Sequence, residues 1–200
     1  MAQVKLKGNP VQTSGELPAV GSMAPDFKLT GTDLGDMSLE QFKGKRVVLN
    51  IFMSLDTSTC ATSVRRFNSE LAGQKDTAVL CISRDLPFAH ARFCEAEGIE
   101  GVVSLSEMRD RSFGRDYGIE IKDGPVAGLL ARSVIVLNRE GQVVYTEQVD
   151  ELSAEPDYEN ALAALDASDQ EPLDVCTTSF SAEDSRVEGT DEPCDDGRAG

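Results

Sequence analysis

"RVVLNIFMSLDTSTCATSVRRF", residues 46–67, changes character at its middle. Its first seven residues form an apolar run with two adjacent β-branched valines, the pattern of a strand buried on both faces. Beyond Thr57 the period changes: Cys60, Val64, Phe67 and Leu71 recur at i, i+4, i+7 and i+11. That spacing puts one apolar stripe on a helix predicted over 58–72. Asp56 or Thr57 would cap the helix and Gly73 would end it. A strand feeding directly into a helix is the unit of an α/β fold. In open α/β sheets the loop after such a strand forms the functional edge. Cys60 stands at that edge.

The same two patterns extend in both directions. "TAVLCIS" (77–83) and "SVIVLN" (133–138) read as buried strands. "REGQ" (139–142) has turn composition, and "VVYTEQV" (143–149) follows it as a partner strand. A second helix is predicted over 87–97, with Pro87 in its first turn and Gly98 past its end. A third is predicted at 107–117 and a fourth at 155–167. Residues 1–22 are polar with isolated valines and leucines, compatible with a short terminal hairpin. Strands alternating with helices indicate an α/β domain over 1–166. Residues 167–200 hold ten acidic residues and two arginines, and thus eight of the chain's sixteen net negative charges. That segment is too poor in apolar residues to bury a core and is expected to be a disordered tail.

The charge excludes some functions. With 19 basic against 35 acidic residues, the chain lacks the basic surface that nucleic acid or an anionic membrane requires. No stretch has the length of a signal peptide's apolar region or of a membrane span, so a cytoplasmic protein is the expectation. Five cysteines (60, 81, 94, 176 and 194) are an odd number without a dense framework. They read as free, redox-active or incidental thiols.

Cys60 admits two readings. It can be a small apolar filler on the helix stripe, the commonest fate of a cysteine. It can also be a nucleophile. The first turn of a helix exposes backbone N–H groups and the positive end of the dipole, and both stabilise a thiolate. Thr57, three residues earlier, is near enough for its hydroxyl to meet the sulfur or a bound oxygen. Arg65 and Arg66 add positive charge but read as solvated surface. Cys94, on the second helix, is a thiol able to exchange with an oxidised Cys60. The absence of CxxC argues against a thioredoxin-type oxidoreductase. The single histidine, His90, reads as a surface residue, and no zinc-ligand spacing is present.

The chain resembles the thiol peroxidases, atypical two-cysteine peroxiredoxins. The resemblance rests on "GKRVVLNIFMSLDTSTCATSVRRFN", "VLCISRDLPFAHARFCEAEG", "YGIEIKDGPVAGLLARSVIVL" and "VDELSAEPDYENALAAL". It implies a thioredoxin-like fold, a central mixed sheet flanked by helices with an N-terminal β-hairpin. It also implies that Cys60 is the peroxidatic cysteine, oxidised by a hydroperoxide to a sulfenic acid, and Cys94 the resolving cysteine that closes a Cys60–Cys94 disulfide. Thr57 matches a threonine that hydrogen-bonds the peroxide, and Arg132 in "LLARSVIV" an active-site arginine. Cys81 matches a non-catalytic position and reads as core. The family needs no metal or organic cofactor, draws electrons from thioredoxin and usually forms homodimers. One departure stands out: Met53 replaces a proline seven residues before the cysteine, which implies a less preorganised loop over the thiolate. A redox sensor of the same fold, and a non-catalytic thioredoxin-like binding module, are the rival readings. Hydroperoxide-dependent consumption of reductant separates them.

Overall fold

The computed structural model describes residues 2–168. The strands are β1 (Gln3–Leu6), β2 (Asn9–Gln12), β3 (Leu29–Gly31), β4 (Asp36–Met37), β5 (Arg46–Ile51), β6 (Thr77–Ser83), β7 (Val103–Ser106), β8 (Ser133–Leu137) and β9 (Val143–Gln148). The helices are α1 (Ser58–Glu70), α2 (Pro87–Glu97), α3 (Ser112–Asp116) and α4 (Tyr158–Ala167). A seven-stranded sheet runs β4-β3-β7-β6-β5-β8-β9, with β5, β6 and β7 parallel and the remaining pairings antiparallel. This is the mixed, helix-flanked sheet of a thioredoxin-like fold. β1 and β2 form the expected hairpin, turned by Lys7 and Gly8, both at positive φ as a tight two-residue hairpin turn demands.

Burial of β5 on both faces explains its apolar run. Val47, Leu49 and Ile51 enter a large core shared with the hairpin and α3; Val48 and Phe52 enter a second core under α1, α2 and α4. The α1 stripe behaves as its spacing predicts: Cys60, Val64, Phe67 and Leu71 are all buried in the second core. Phe67 packs edge-on against Tyr158 of α4, ring centroids 5.3 Å apart. Truncating such a fully buried ring to alanine costs about 3–5 kcal/mol.

Two expectations need correction. The third helix spans only 112–116, not 107–117, and it is preceded by an unexpected strand, β7, inserted between β3 and β6. Glu107, just past that strand, is buried and accepts hydrogen bonds from Arg84 Nε (2.6 Å) and Gly114 N (2.7 Å). That ion pair fixes 107 at a strand end and not in a helix. The fourth helix begins at Tyr158, where Asp157 caps it by accepting from Asn160 N at 3.0 Å. It ends at Ala167. The expected tail, with Cys176 and Cys194, lies outside the described residues. Among the described residues no helix is long and apolar enough to cross a membrane.

Candidate active site

Cys60 is the third residue of α1 and has no exposed surface. Thr57 occupies the N-cap with extended backbone, but its hydroxyl turns back to the Ser54 carbonyl (3.0 Å) and caps nothing. The expected contact between that hydroxyl and the Cys60 sulfur is therefore not made. One consequence is chemical. The N–H groups of Ser58, Thr59 and Cys60 meet no acceptor among the described residues. A helix start left open in this way attracts a negatively charged or electron-rich atom.

Arg132 brings a full charge to the same place. It lies immediately before β8 and shares the sheet face of Val134 and Val136, so its side chain runs under α1. Nη2 donates to Cys60 Sγ at 3.3 Å, and Nε and Nη2 both donate to the Leu152 carbonyl at 3.2 Å. Nη1 is buried without a partner. Arg132 is 1% exposed, and no carboxylate pairs with it among the described residues. Burying an unpaired guanidinium costs several kcal/mol. The Cys60 sulfur is the group beside it able to carry a compensating charge.

Cys94 sits on α2, half-buried at the margin of the same core, with Sγ 3.5 Å from Ser104 Oγ. It also lines a cleft of about 510 Å³ against the β3–β4 edge. Cys60, Cys81 and Cys94 are all free thiols. Cys81 is core as expected, and burial pushes its thiol up to about 12. Met53 is buried too, but its side chain packs into the large core on the other side of the sheet from Cys60. It therefore does not cover the sulfur.

Arg65 and Arg66 do more than face water. Arg65 joins the two cysteine-bearing helices through Glu97 (2.8 and 2.9 Å), and Arg66 stacks 4.3 Å over the Tyr158 ring. His90 corrects its expectation outright. It is fully buried, with Nε2 3.0 Å from Ser83 Oγ and its ring tilted against Phe52. Burial pushes its pKa down to about 4, partly opposed by the charge of Asp85. Helix α2 carries no clean apolar stripe, so the sequence did not show which face turns inward. Asp85 was also missed. Its carboxylate holds Ser54 and the Leu55 amide, each at 2.8 Å.

Comparison with known proteins matches residues 19–162 to the Redoxin family. The chain is 60% identical over 167 residues to a thiol peroxidase of Mycobacterium tuberculosis, covering 84% of this chain and 100% of that protein. It is 55% identical over 165 residues to a thiol peroxidase of Corynebacterium glutamicum, covering 82% and 99%. A peroxiredoxin-like protein from Aquifex aeolicus superposes with a TM-score of 0.79 at 36% identity, covering 84% of this chain and 98% of that one.

Proposed function

The chain belongs to the Redoxin family, among its thiol peroxidases, and from that premise we propose that it reduces hydroperoxides with Cys60 as nucleophile. The observation that carries the assignment is the buried, otherwise unpaired Arg132 guanidinium donating to Cys60 Sγ at 3.3 Å. The thiolate attacks one peroxide oxygen, and the O–O bond breaks. The departing oxygen leaves as water or alcohol once it has gained a proton. The free Nη1 donor of Arg132 and the open amides at the start of α1 supply the donors that offset the charge developing on that oxygen. Thr57, at the N-cap, supplies a hydroxyl oxygen able to accept from the peroxide O–H while its own proton stays on Ser54.

The product at Cys60 is a sulfenic acid. Attack by the Cys94 thiol forms a Cys60–Cys94 disulfide and releases water. A disulfide needs Cα atoms within about 7 Å, whereas packed helices keep their axes about 8–10 Å apart. The segments carrying the two cysteines must therefore unwind locally. Thioredoxin then restores both thiols by exchange. The half-exposed position of Cys94 supports attack from that side. The reading includes a cytoplasmic homodimer that requires no metal or organic cofactor.

A coupled assay tests the whole reading: hydroperoxide, thioredoxin, thioredoxin reductase and NADPH, with NADPH oxidation followed. Sustained, protein-dependent oxidation is expected with the native chain and none with Cys60→Ser. Stoichiometric oxidation without turnover would favour the redox-sensor reading instead.

A further inference from the structure

Asp85 stands between the two cysteine-bearing segments. It lies two residues before the first residue of α2, yet its carboxylate serves the turn that leads into α1. Oδ1 accepts from Ser54 Oγ at 2.8 Å; Oδ2 accepts from Leu55 N at 2.8 Å and from Ser83 Oγ at 2.7 Å. The Asp85 carbonyl accepts from Ser106 Oγ at 2.5 Å, so its backbone is anchored to β7 as well. Ser83 has one hydroxyl proton and gives it to Asp85. His90 Nε2, 3.0 Å from the same oxygen, must then be a donor, which fixes the neutral tautomer with Nδ1 bare. A directed chain runs from His90 through Ser83 to Asp85 and meets Ser54 and Leu55 there.

Ser54 is the hub of the turn before Cys60. Its carbonyl accepts from Thr57 N (3.2 Å) and Thr57 Oγ1 (3.0 Å), and its hydroxyl oxygen accepts from Asp56 N (3.2 Å). Fixing Ser54 thus fixes the start of α1. The ion pairs that join the segments, Asp56–Arg92 (3.5 Å) and Arg65–Glu97 (2.8 Å), lie at the surface, where such pairs contribute little. Hydrogen bonds to a part-buried carboxylate are stronger and more directional.

We propose that Asp85 is a positioning residue with two effects on the cycle. Bonded, it holds the Cys60 turn in the shape that meets the peroxide. Released, it frees that turn and the start of α2 together, so that Cys94 reaches the Cys60 sulfenic acid. The proposal rests on the roles assigned above to Cys60 and Cys94. It makes the first chemical step slow on loss of the carboxylate while the second does not, a split that a general loss of structure does not produce.

Asp85→Asn keeps the shape but puts an amide nitrogen where one acceptor oxygen was. The reduced protein is mixed rapidly with hydrogen peroxide and quenched with an alkylating reagent. Mass spectrometry then reads loss of the Cys60 thiol and appearance of the disulfide separately. Oxidation of Cys60 should slow about tenfold or more, since small misplacements of reacting groups are costly. Disulfide formation from the sulfenic acid should proceed as fast as in the native protein or faster. Ser54→Ala, a milder lesion that covers a failure of the first variant to fold, should show the same split at about threefold. Equal slowing of both steps, an unchanged oxidation step or a slower disulfide step would overturn the proposal. A Cys60→Ser control that still consumes peroxide would overturn the nucleophile assignment, which is a distinct result.

Discussion

Cys60 and Cys81 lie in the same apolar core, both with no exposed surface, and their surroundings differ by a few side chains. Cys81 sits mid-strand, 3.7 Å from the Asn50 amide, with no cation beside it, and its thiol is pushed up to about 12. Cys60 sits at an open helix start with a buried guanidinium 3.3 Å away. Burial is common to both and works against charge on sulfur. What separates the proposed nucleophile from the filler is a charged donor in place of a neutral amide, together with the open helix start. The arginine also needs the sulfur, because the only other acceptor it meets among the described residues is the neutral Leu152 carbonyl. His90 belongs with Cys81 in this comparison. It is a buried titratable group with a hydroxyl partner and no ion pair, and it is held neutral.

Removing the arginine should collapse the difference most. Arg132→Met keeps an unbranched apolar stem under α1 and deletes the donors. The second-order rate of Cys60 oxidation by hydrogen peroxide, followed by stopped-flow, should fall about a hundredfold to a thousandfold. A rate within threefold of native would mean that the helix start alone activates the sulfur.

The second prediction concerns His90 and pH. Its folded pKa of about 4 lies below the ordinary 6.5. Between these values the unfolded chain takes up a proton that the folded chain refuses, so stability falls as pH drops through this window and is regained as pH rises. The loss amounts to about 3 kcal/mol at full extent. Urea midpoints of the reduced protein at pH 7, 5.5 and 4.5 should show it, and His90→Leu should flatten that dependence. An unaltered pH profile in the variant would place the acid sensitivity elsewhere. The smallest effect is expected at Cys81. Cys81→Ala should cost about 1 kcal/mol in the same urea titration and leave the oxidation rate unchanged. A slowed rate would show that the two buried thiols are not independent.

The sequence shows these elements unequally, for physical reasons. Continuous apolar runs at 46–52 and 77–83 mark two-sided burial, and the period change at Thr57 marks the strand-to-helix switch, so the central unit is legible. Strand β7 was not, because "VSLS" is short, half polar and bounded by residues that also suit a helix. Its pairing with β3 and β6 is a long-range fact. Cys60 and Cys94 stand out by position and chemistry. Arg132 is visible only through resemblance, since its place beside Cys60 comes from β8 pairing with β5, 72 residues apart in the chain from the contact it makes. Asp85 and His90 were invisible as a network, because polar side chains on a strand end, a loop and a helix start look the same in sequence whether they face water or one another.

The central claim is that Cys60 takes the oxygen and Cys94 resolves it. Mass spectrometry of the native chain, Cys94→Ser and Cys60→Ser, each treated with one equivalent of hydroperoxide, tests this most directly. The account predicts a Cys60–Cys94 disulfide in the native chain and a sulfenic acid at Cys60 in Cys94→Ser, passing to sulfinic acid with excess peroxide. It predicts no oxidation on the same timescale in Cys60→Ser. First oxidation at any other cysteine, or a Cys94→Ser protein that turns over normally with thioredoxin, would contradict it.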